Sequence, residues 1–233
     1  MKIMVWKLLK WLLAILILVF ITYQAWFAAN IFWWRTHNPA SSAFMDNRLE
    51  ILQQKNPKAK LKHKWVPYSR ISANLKRALI ASEDSKFLEH DGFDWDGIQK
   101  AYEKNVARGR IVAGGSTISQ QLAKNLFLST KRTPWRKAEE TLITLMLEII
   151  MDKQRIYEIY LNTIEWGDGI FGAEAASRHY FDISSADLSL EQSAFLAAMV
   201  PNPRYYDRHR DSMALQRRIA FILENIQYVV IPE

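Results

Sequence analysis

The chain has 233 residues, with 31 Lys and Arg against 24 Asp and Glu, a formal charge of +7 and no cysteine. The missing cysteine excludes disulfides, thiolate metal sites and a cysteine nucleophile. The cationic excess calls for an anionic partner: nucleic acid, a membrane surface or a phosphorylated substrate.

From Trp11 to Trp34 no residue is charged, and such a run is long enough to cross a hydrocarbon core of ~30 Å. It exceeds the apolar region of a secretory signal, and the A-x-A-like "AWFAAN" is followed by more apolar residues, so residues 11–34 read as an uncleaved anchor. Lys2, Lys7 and Lys10 place the 1–10 tail in the cytoplasm by the positive-inside rule, which Arg35 weakens without reversing. Trp33 and Trp34 fit an outer interfacial belt. The rest of the chain is then outside, where nucleic acid is scarce, and its charge points to lipid head groups or a lipid phosphate.

Residues 35–70 form a polar, basic connection and the start of the domain, with Pro39, Pro57 and Pro67 and a helical candidate at Asp46–Gln54. The main domain, 71–233, is dominated by helical patterns. Leu75, Ala78, Leu79 and Ser82 make a stripe that ends at Glu83 and Asp84, where negative charge opposes the helix dipole. Either a solvated turn before Gly92 or a working carboxylate accounts for that placement. "TISQQLAKNLFL" opens with a capping box, Thr117 with Gln120. Arg136–Met151 is apolar nearly all round and too short to span a bilayer, so it reads as a core helix. Lys153–Asn162 is amphipathic. "WGDGIFG" (166–172) has three glycines and is expected to be an irregular loop. Short helices follow at Ala173–Phe181 and from a second capping box, Ser189 with Gln192, up to Pro201, with a last helix at Ser212–Val229. No sustained period-2 run and no repeat occurs, so the expected class is mainly α.

Several groups could carry chemistry. Gly114-Gly115-Ser116-Thr117 runs into a helix, which suits either an anion site at its N-terminus or a simple hinge. Thr117, Gln120, Gln121, Lys124 and Asn125 share a polar side of that helix. Lys131, Arg132, Arg136 and Lys137 cluster before Glu140, which either makes an i,i+4 surface pair with Arg136 or belongs to a pyrophosphate or metal site. Phe127, Leu128 and Trp135 lie among these cations in "NLFLSTKRTPW" (125–135), a composition suited to dipping into the membrane interface. The histidines at 37, 63, 90, 179 and 209 show no zinc spacing, and His90 is expected to brace its own turn. No Walker loop or G-x-S-x-G elbow occurs. Trp95, Tyr160 and Trp166 could stack on sugar or be buried.

Five of these segments together resemble the peptidoglycan glycosyltransferase family, the lysozyme-like transglycosylases that polymerise lipid II. They are "EDSKFLEHDGFD" (83–94), "GGSTISQQLAKNLFL" (114–128), "RKAEE" (136–140), "KQRIYEIYLNTIEWGDGIFGAEAAS" (153–177) and "LSLEQSAFLAAMVPNPRYYD" (189–207), in the family's order. The resemblance is to the monofunctional type, since no S-x-x-K or K-T-G of a transpeptidase domain occurs before Glu233. It implies a lysozyme-like glycosyltransferase domain behind one transmembrane helix, single-pass in the inner membrane with the catalytic part in the periplasm.

It also implies roles. Glu83 matches the general base for the acceptor's 4-hydroxyl, and Glu140 the carboxylate linked to the leaving diphosphate and its divalent cation, Mg or Mn. Lys124, Arg132 and Arg136 match cationic positions around the phosphates. Gln121, Lys153, Glu158 and Asn162 match positions that shape the cleft. Ser116, Thr117 and Asn125 complete the expected substrate- and diphosphate-binding set, with Asp84, His90 and Gly115 in support. The expected partners are lipid II, the growing lipid-linked glycan, the membrane, other wall-synthesis and division proteins, and moenomycin-type inhibitors, with no organic cofactor and no nucleic acid. Two rivals remain, a lysozyme-like lytic hydrolase and a non-catalytic membrane-anchored scaffold. The basic cluster beside Glu140 has no purpose in hydrolysis of a sugar leaving group, and a degenerate scaffold would have lost some motif charges.

Overall fold

The computed structural model describes residues 2–110, 114–131 and 133–233, with side chains from Met4 onward. Arg132 therefore lies outside the described residues. Helix α1 (Lys2–Trp34) is 33 residues long, about 50 Å at 1.5 Å per residue. It is a helix of two parts. Side chains from Met4 to Tyr23 are exposed, and such a stretch spans a bilayer at ~30 Å. Beyond it, Phe27 and Ile31, one turn apart, are 1% and 0% exposed and join the domain core. Phe127 receives the rings of Trp26, Phe27 and Trp34 at 6.0, 5.1 and 5.2 Å.

This arrangement corrects two expectations. Trp34 is a domain contact rather than a belt residue, because the apolar run is longer than a bilayer needs and its surplus makes a docking face. Phe127 and Leu128 are taken up by that docking and by the core. Only Trp135, 66% exposed, remains free to meet a membrane.

In the 35–70 stretch, helix α2 (Ala43–Lys55) starts at its Ser42 cap and packs on α5 (Ile118–Phe127). The domain core gathers α3 (Ala73–Glu83), α5, α6 (Pro134–Ile150), α7 (Lys153–Thr163), α9 (Leu190–Met199) and α11 (Met213–Asn225). At its centre Ile156, Tyr157, Ile159 and Tyr160 of α7 are all 0% exposed, and each such apolar side chain contributes about 1.5–3 kcal/mol by leaving water. Thr133 caps α6 ahead of Pro134, two residues before the expected start, because proline at the first helical position costs no hydrogen bond. The last helix stops at Asn225 and tightens into one 3₁₀ turn, Ile226–Tyr228.

Two helices have no counterpart in the sequence reading. Helix α4 (Trp95–Arg108) is bracketed by the Asp94 cap and by Gly109 at φ +60°; Trp95, Ile98, Ala101, Tyr102 and Val106 recur at helical spacing along it, yet only Ala101 is buried. Helix α10 (Pro203–Arg208) has just 6 residues. The "WGDGIFG" expectation is overturned. Strands β2 (Glu165–Gly167) and β3 (Ile170–Phe171) form a hairpin around Asp168-Gly169, and β1 (Lys62–His63) pairs parallel to β3 in the order β1-β3-β2. Asp-Gly is a strong hairpin signal, and Gly169 takes a positive φ of +75°, which glycine adopts without steric cost. Helix α8 (Ala173–Phe181) follows the hairpin.

Candidate active site

Glu83 is the last residue of α3, and its side chain is 10% exposed. Three donors from different parts of the chain reach its carboxylate. Gln121 Nε2 of α5 donates at 2.9 Å, Ser82 Oγ at 3.1 Å, and Arg218 of α11 at 3.3 Å. Arg218 also donates to Ser82 Oγ and the Ala198 carbonyl, which ties α11 and α9 to the end of α3. The Gln121 amide oxygen in turn accepts from the Tyr160 hydroxyl at 3.0 Å. Burial first, then the nearby Glu83 carboxylate, raises the Tyr160 phenol far above its ordinary range, so that hydroxyl remains a donor.

Asp84 explains why two acids stand together. One oxygen accepts from the Ile118 N–H, the first of α5, at 2.9 Å, and the other from His90 Nε2 at 3.0 Å. A carboxylate at a helix N-terminus satisfies an otherwise free donor and the dipole. Asp84 thus sets the start of α5 against the end of α3, which is what brings Gln121 to Glu83. It braces the turn through His90, as expected, but makes no contact with Glu83. His90 completes the turn by accepting from the Gly92 N–H.

Glu83 opens on a cavity of about 240 Å³ walled by Gly114, Gly115, Ser116 and Phe221. Gly115 cannot be replaced without movement, because a Cβ there would lie 2.9 Å from the Ile98 backbone. Ser116 is exposed and is also part of the wall of a second cavity of about 730 Å³. That larger cleft contains Gln121, Lys124, Arg136, Lys137 and Glu140.

Here Glu140 is 3% exposed and receives Arg136 at 2.8 Å and Lys137. Arg136 keeps one buried donor, Nε, without a partner. Lys124 lies across the cleft with its ammonium 5.6 Å from the centre of the Phe44 ring. Burial lowers its pKa below the usual lysine value, against the opposing pull of Glu140. The site is an anion trap, with four cations (Lys124, Arg136, Lys137 and Arg204), one carboxylate and a free guanidinium donor.

The other predicted residues are spread around this centre. Thr117 is buried, and its hydroxyl is used in capping α5 and in donating to the Gly92 carbonyl at 2.7 Å, so it shapes the loop rather than offering a free hydroxyl. Asn125 is buried one turn beyond Gln121. Lys153 reaches back to the His90 carbonyl at 2.6 Å and to Glu148 at 2.8 Å, which pins the 84–92 turn from behind. Glu158 and Asn162 hold the 66–68 segment, accepting from the Tyr68 and Val66 N–H groups, and line neither cavity. Trp166 and Tyr160 are fully buried, whereas Trp95 is exposed beside Phe93. Ser82 and Arg218 are partners of Glu83 that the motifs do not show. Arg218 lies 135 residues from Glu83, and nothing local marks it.

The profile of the family described as "Transglycosylase" matches residues 49–227. A "Biosynthetic peptidoglycan transglycosylase" of Chromobacterium violaceum is 62% identical over 221 residues, covering 95% of this chain and 97% of that protein. Proteins of the same description from Laribacter hongkongensis and Methylobacillus flagellatus are 60% and 63% identical, covering 96% and 95% of this chain and 100% and 96% of their own length.

Proposed function

Since the chain belongs to the transglycosylase family and is a peptidoglycan transglycosylase of cell-wall synthesis, we propose that it joins lipid-diphosphate-linked disaccharides, lipid II, by one inverting displacement. Glu83 takes the proton of the acceptor's 4-hydroxyl. That oxygen forms the new bond to the donor's anomeric carbon while the bond from that carbon to the phosphate oxygen breaks. The electron pair leaves with the diphosphate, toward Lys124, Arg136 and Lys137. A base of this kind contributes about 10²–10⁴-fold and a fixed cation about 10²–10³-fold.

The observation that carries this reading is the shared wall at Ser116. A carboxylate held by three donors stands on one side of it, and a cationic cleft with an unpartnered Arg136 Nε on the other. A hydrolase would not need the second side. A divalent cation fits only with help from the substrate: no group of three or more His, Asp or Glu stands ready among the described residues, and both Glu140 oxygens carry cationic partners. Glu140 and the diphosphate oxygens would hold such an ion together, and it would neutralise charge on the leaving group.

The anchor would be inserted N-terminus inward in the inner membrane, with the domain in the periplasm. Lys2, Lys7 and Lys10 cluster at the N-terminal end of the helix, where long lysine stems let the charge reach the cytoplasmic interface. Moenomycin-type phosphoglycolipids would fill the cationic cleft. Purified protein supplied with lipid II and divalent cation in detergent should release polymer and leave finished glycan intact. Cleavage of glycan without polymer would establish the hydrolase instead.

A further inference from the structure

We propose that a cationic track runs from the mouth of the large cleft over α10 and α8 to the β1 edge, and that it guides the acidic, unlipidated part of the growing glycan. The proposal rests on the polymerase reading above, and takes the stem-peptide carboxylates as the charges it meets.

The track begins at Arg204, which lines the cleft beside Pro201, is half exposed and lies 3.6 Å from Glu165. One turn on, Arg208 is exposed. Between them Tyr205 is 45% exposed and stacked on His209 with ring centres 4.2 Å apart and planes 14° apart, a flat aromatic platform of the kind that packs on the apolar face of a sugar ring. Asp207 links α10 to α8 through His179 at 4.0 Å, and His179 lies 3.2 Å from Lys62 of β1. A cavity of about 470 Å³ between α8 and β1 is bordered by Lys62, Lys64 and Arg178.

The lysines belong to a longer row. In "KAKLKHK" (58–64) every lysine is exposed, while Ala59, Leu61 and His63 are half-buried. Period 2 therefore puts Lys58, Lys60, Lys62 and Lys64 on one open face, about 7 Å apart along the chain. Edge lysines also discourage strand pairing. That purpose does not account for a row of seven residues around a two-residue strand, nor for Arg178 and Arg208 on helices. The one acid in the cavity, Glu174, is 2% exposed and pairs with Lys64 at 3.4 Å and Arg178 at 3.2 Å, so it offsets part of their charge and leaves the rest of the lysine row to carry the track. Burial opposes its ionisation, but the Ser185 N–H and hydroxyl, Arg178 and Lys64 together hold its pKa down to about 2.

A membrane surface is a poorer match. The anchor α1 packs on α6, while the track lies on α10, α8 and β1. A strand leaving the cleft carries repeated carboxylates, and a row of repeated cations complements them.

The test is direct binding, without turnover, of water-soluble glycan fragments with free stem-peptide carboxylates. The full-length protein in detergent is compared with a Lys60→Gln/Lys62→Gln/Lys64→Gln variant, and neutral N-acetylglucosamine oligomers serve as control. The variant should bind the acidic fragment about tenfold more weakly at low salt, with the difference fading at high salt. It should bind the neutral oligomer equally, couple the first two lipid II units at an unchanged rate, and make shorter polymer. Equal binding of the acidic fragment by both proteins overturns the proposal. So does an equal loss for the neutral oligomer, or a loss confined to anionic vesicles. A Lys62→Glu single variant, expected to weaken acidic binding in the same direction, guards against misfolding of the triple one. Failure here with polymerisation intact would leave the proposed function standing.

Discussion

The two carboxylates of the cleft are held in opposite ways. Glu140 is held by its own helix: Arg136 and Lys137 lie one turn before it on α6. Glu83 is held by residues brought from far along the chain, Gln121 of α5 and Arg218 of α11, with only Ser82 next to it. A site for a diffuse leaving charge needs cations in number, and a single helix turn supplies them. A base needs one lone pair aimed at one proton, and only tertiary contacts from several directions fix a side chain that closely. The difference follows from the chemistry proposed for each end.

Removing the chemistry from the aimed end should have the largest effect. Glu83→Gln keeps the shape and the hydrogen bond from Arg218, so folding should persist while polymerisation falls about 10²–10⁴-fold. Steady-state turnover of labelled lipid II together with a melting curve checks both. Arg136→Ala comes next, at about 10²-fold, with substrate affinity and rate falling together because the same charge serves both. Arg136→Lys should recover only part, since an ammonium cannot offer the Nε donor that now stands free.

Arg218→Ala should cost less, about tenfold in kcat with KM little changed, because it loosens the aim of Glu83 without removing the base. If KM rose and kcat held, Arg218 would be a substrate contact rather than a positioning residue. The smallest effect is on pH dependence. Burial lowers the Lys124 pKa, so its ammonium is charged below that lowered value and neutral above it. Affinity for a phosphoglycolipid should therefore decline on the alkaline side before the ordinary lysine value of 10.5 is reached. Lys124→Ala should flatten that limb of the profile.

The same contrast decides what could be read from the chain. The cationic end is local, so "RKAEE" displays it as i,i+3 and i,i+4 spacing. The capping boxes at Thr117 and Ser189 are local too, and both occur in the structure with each reciprocal bond in place. Arg218 leaves no trace, because a helix residue 135 positions from its partner looks like any solvated arginine. Glu158 and Asn162 sit in a motif-rich segment yet fasten the 66–68 backbone. A motif records that a position is constrained, not whether substrate or fold constrains it. The hairpin at Asp168-Gly169 is legible in the two-residue turn between Gly167 and Ile170, but the three glycines of the segment suit an irregular loop equally well. Helix α4 is legible as well, since Asp94 caps an apolar stripe of Trp95, Ile98, Ala101 and Tyr102 at helical spacing. The anchor's length reads as membrane thickness, whereas its last third docks on the domain through Phe27 and Ile31, 1% and 0% exposed.

The division of labour between the two carboxylates is tested most directly by titrating a labelled moenomycin-type phosphoglycolipid against the unaltered protein, Glu83→Gln and Arg136→Ala in detergent. Glu83→Gln should bind within about threefold of the unaltered protein despite its lost turnover, because the proton it handles belongs to the acceptor, while Arg136→Ala should bind at least about tenfold more weakly. Equal weakening in both variants, or unchanged binding by Arg136→Ala, would contradict the assignment of base to one end and leaving group to the other.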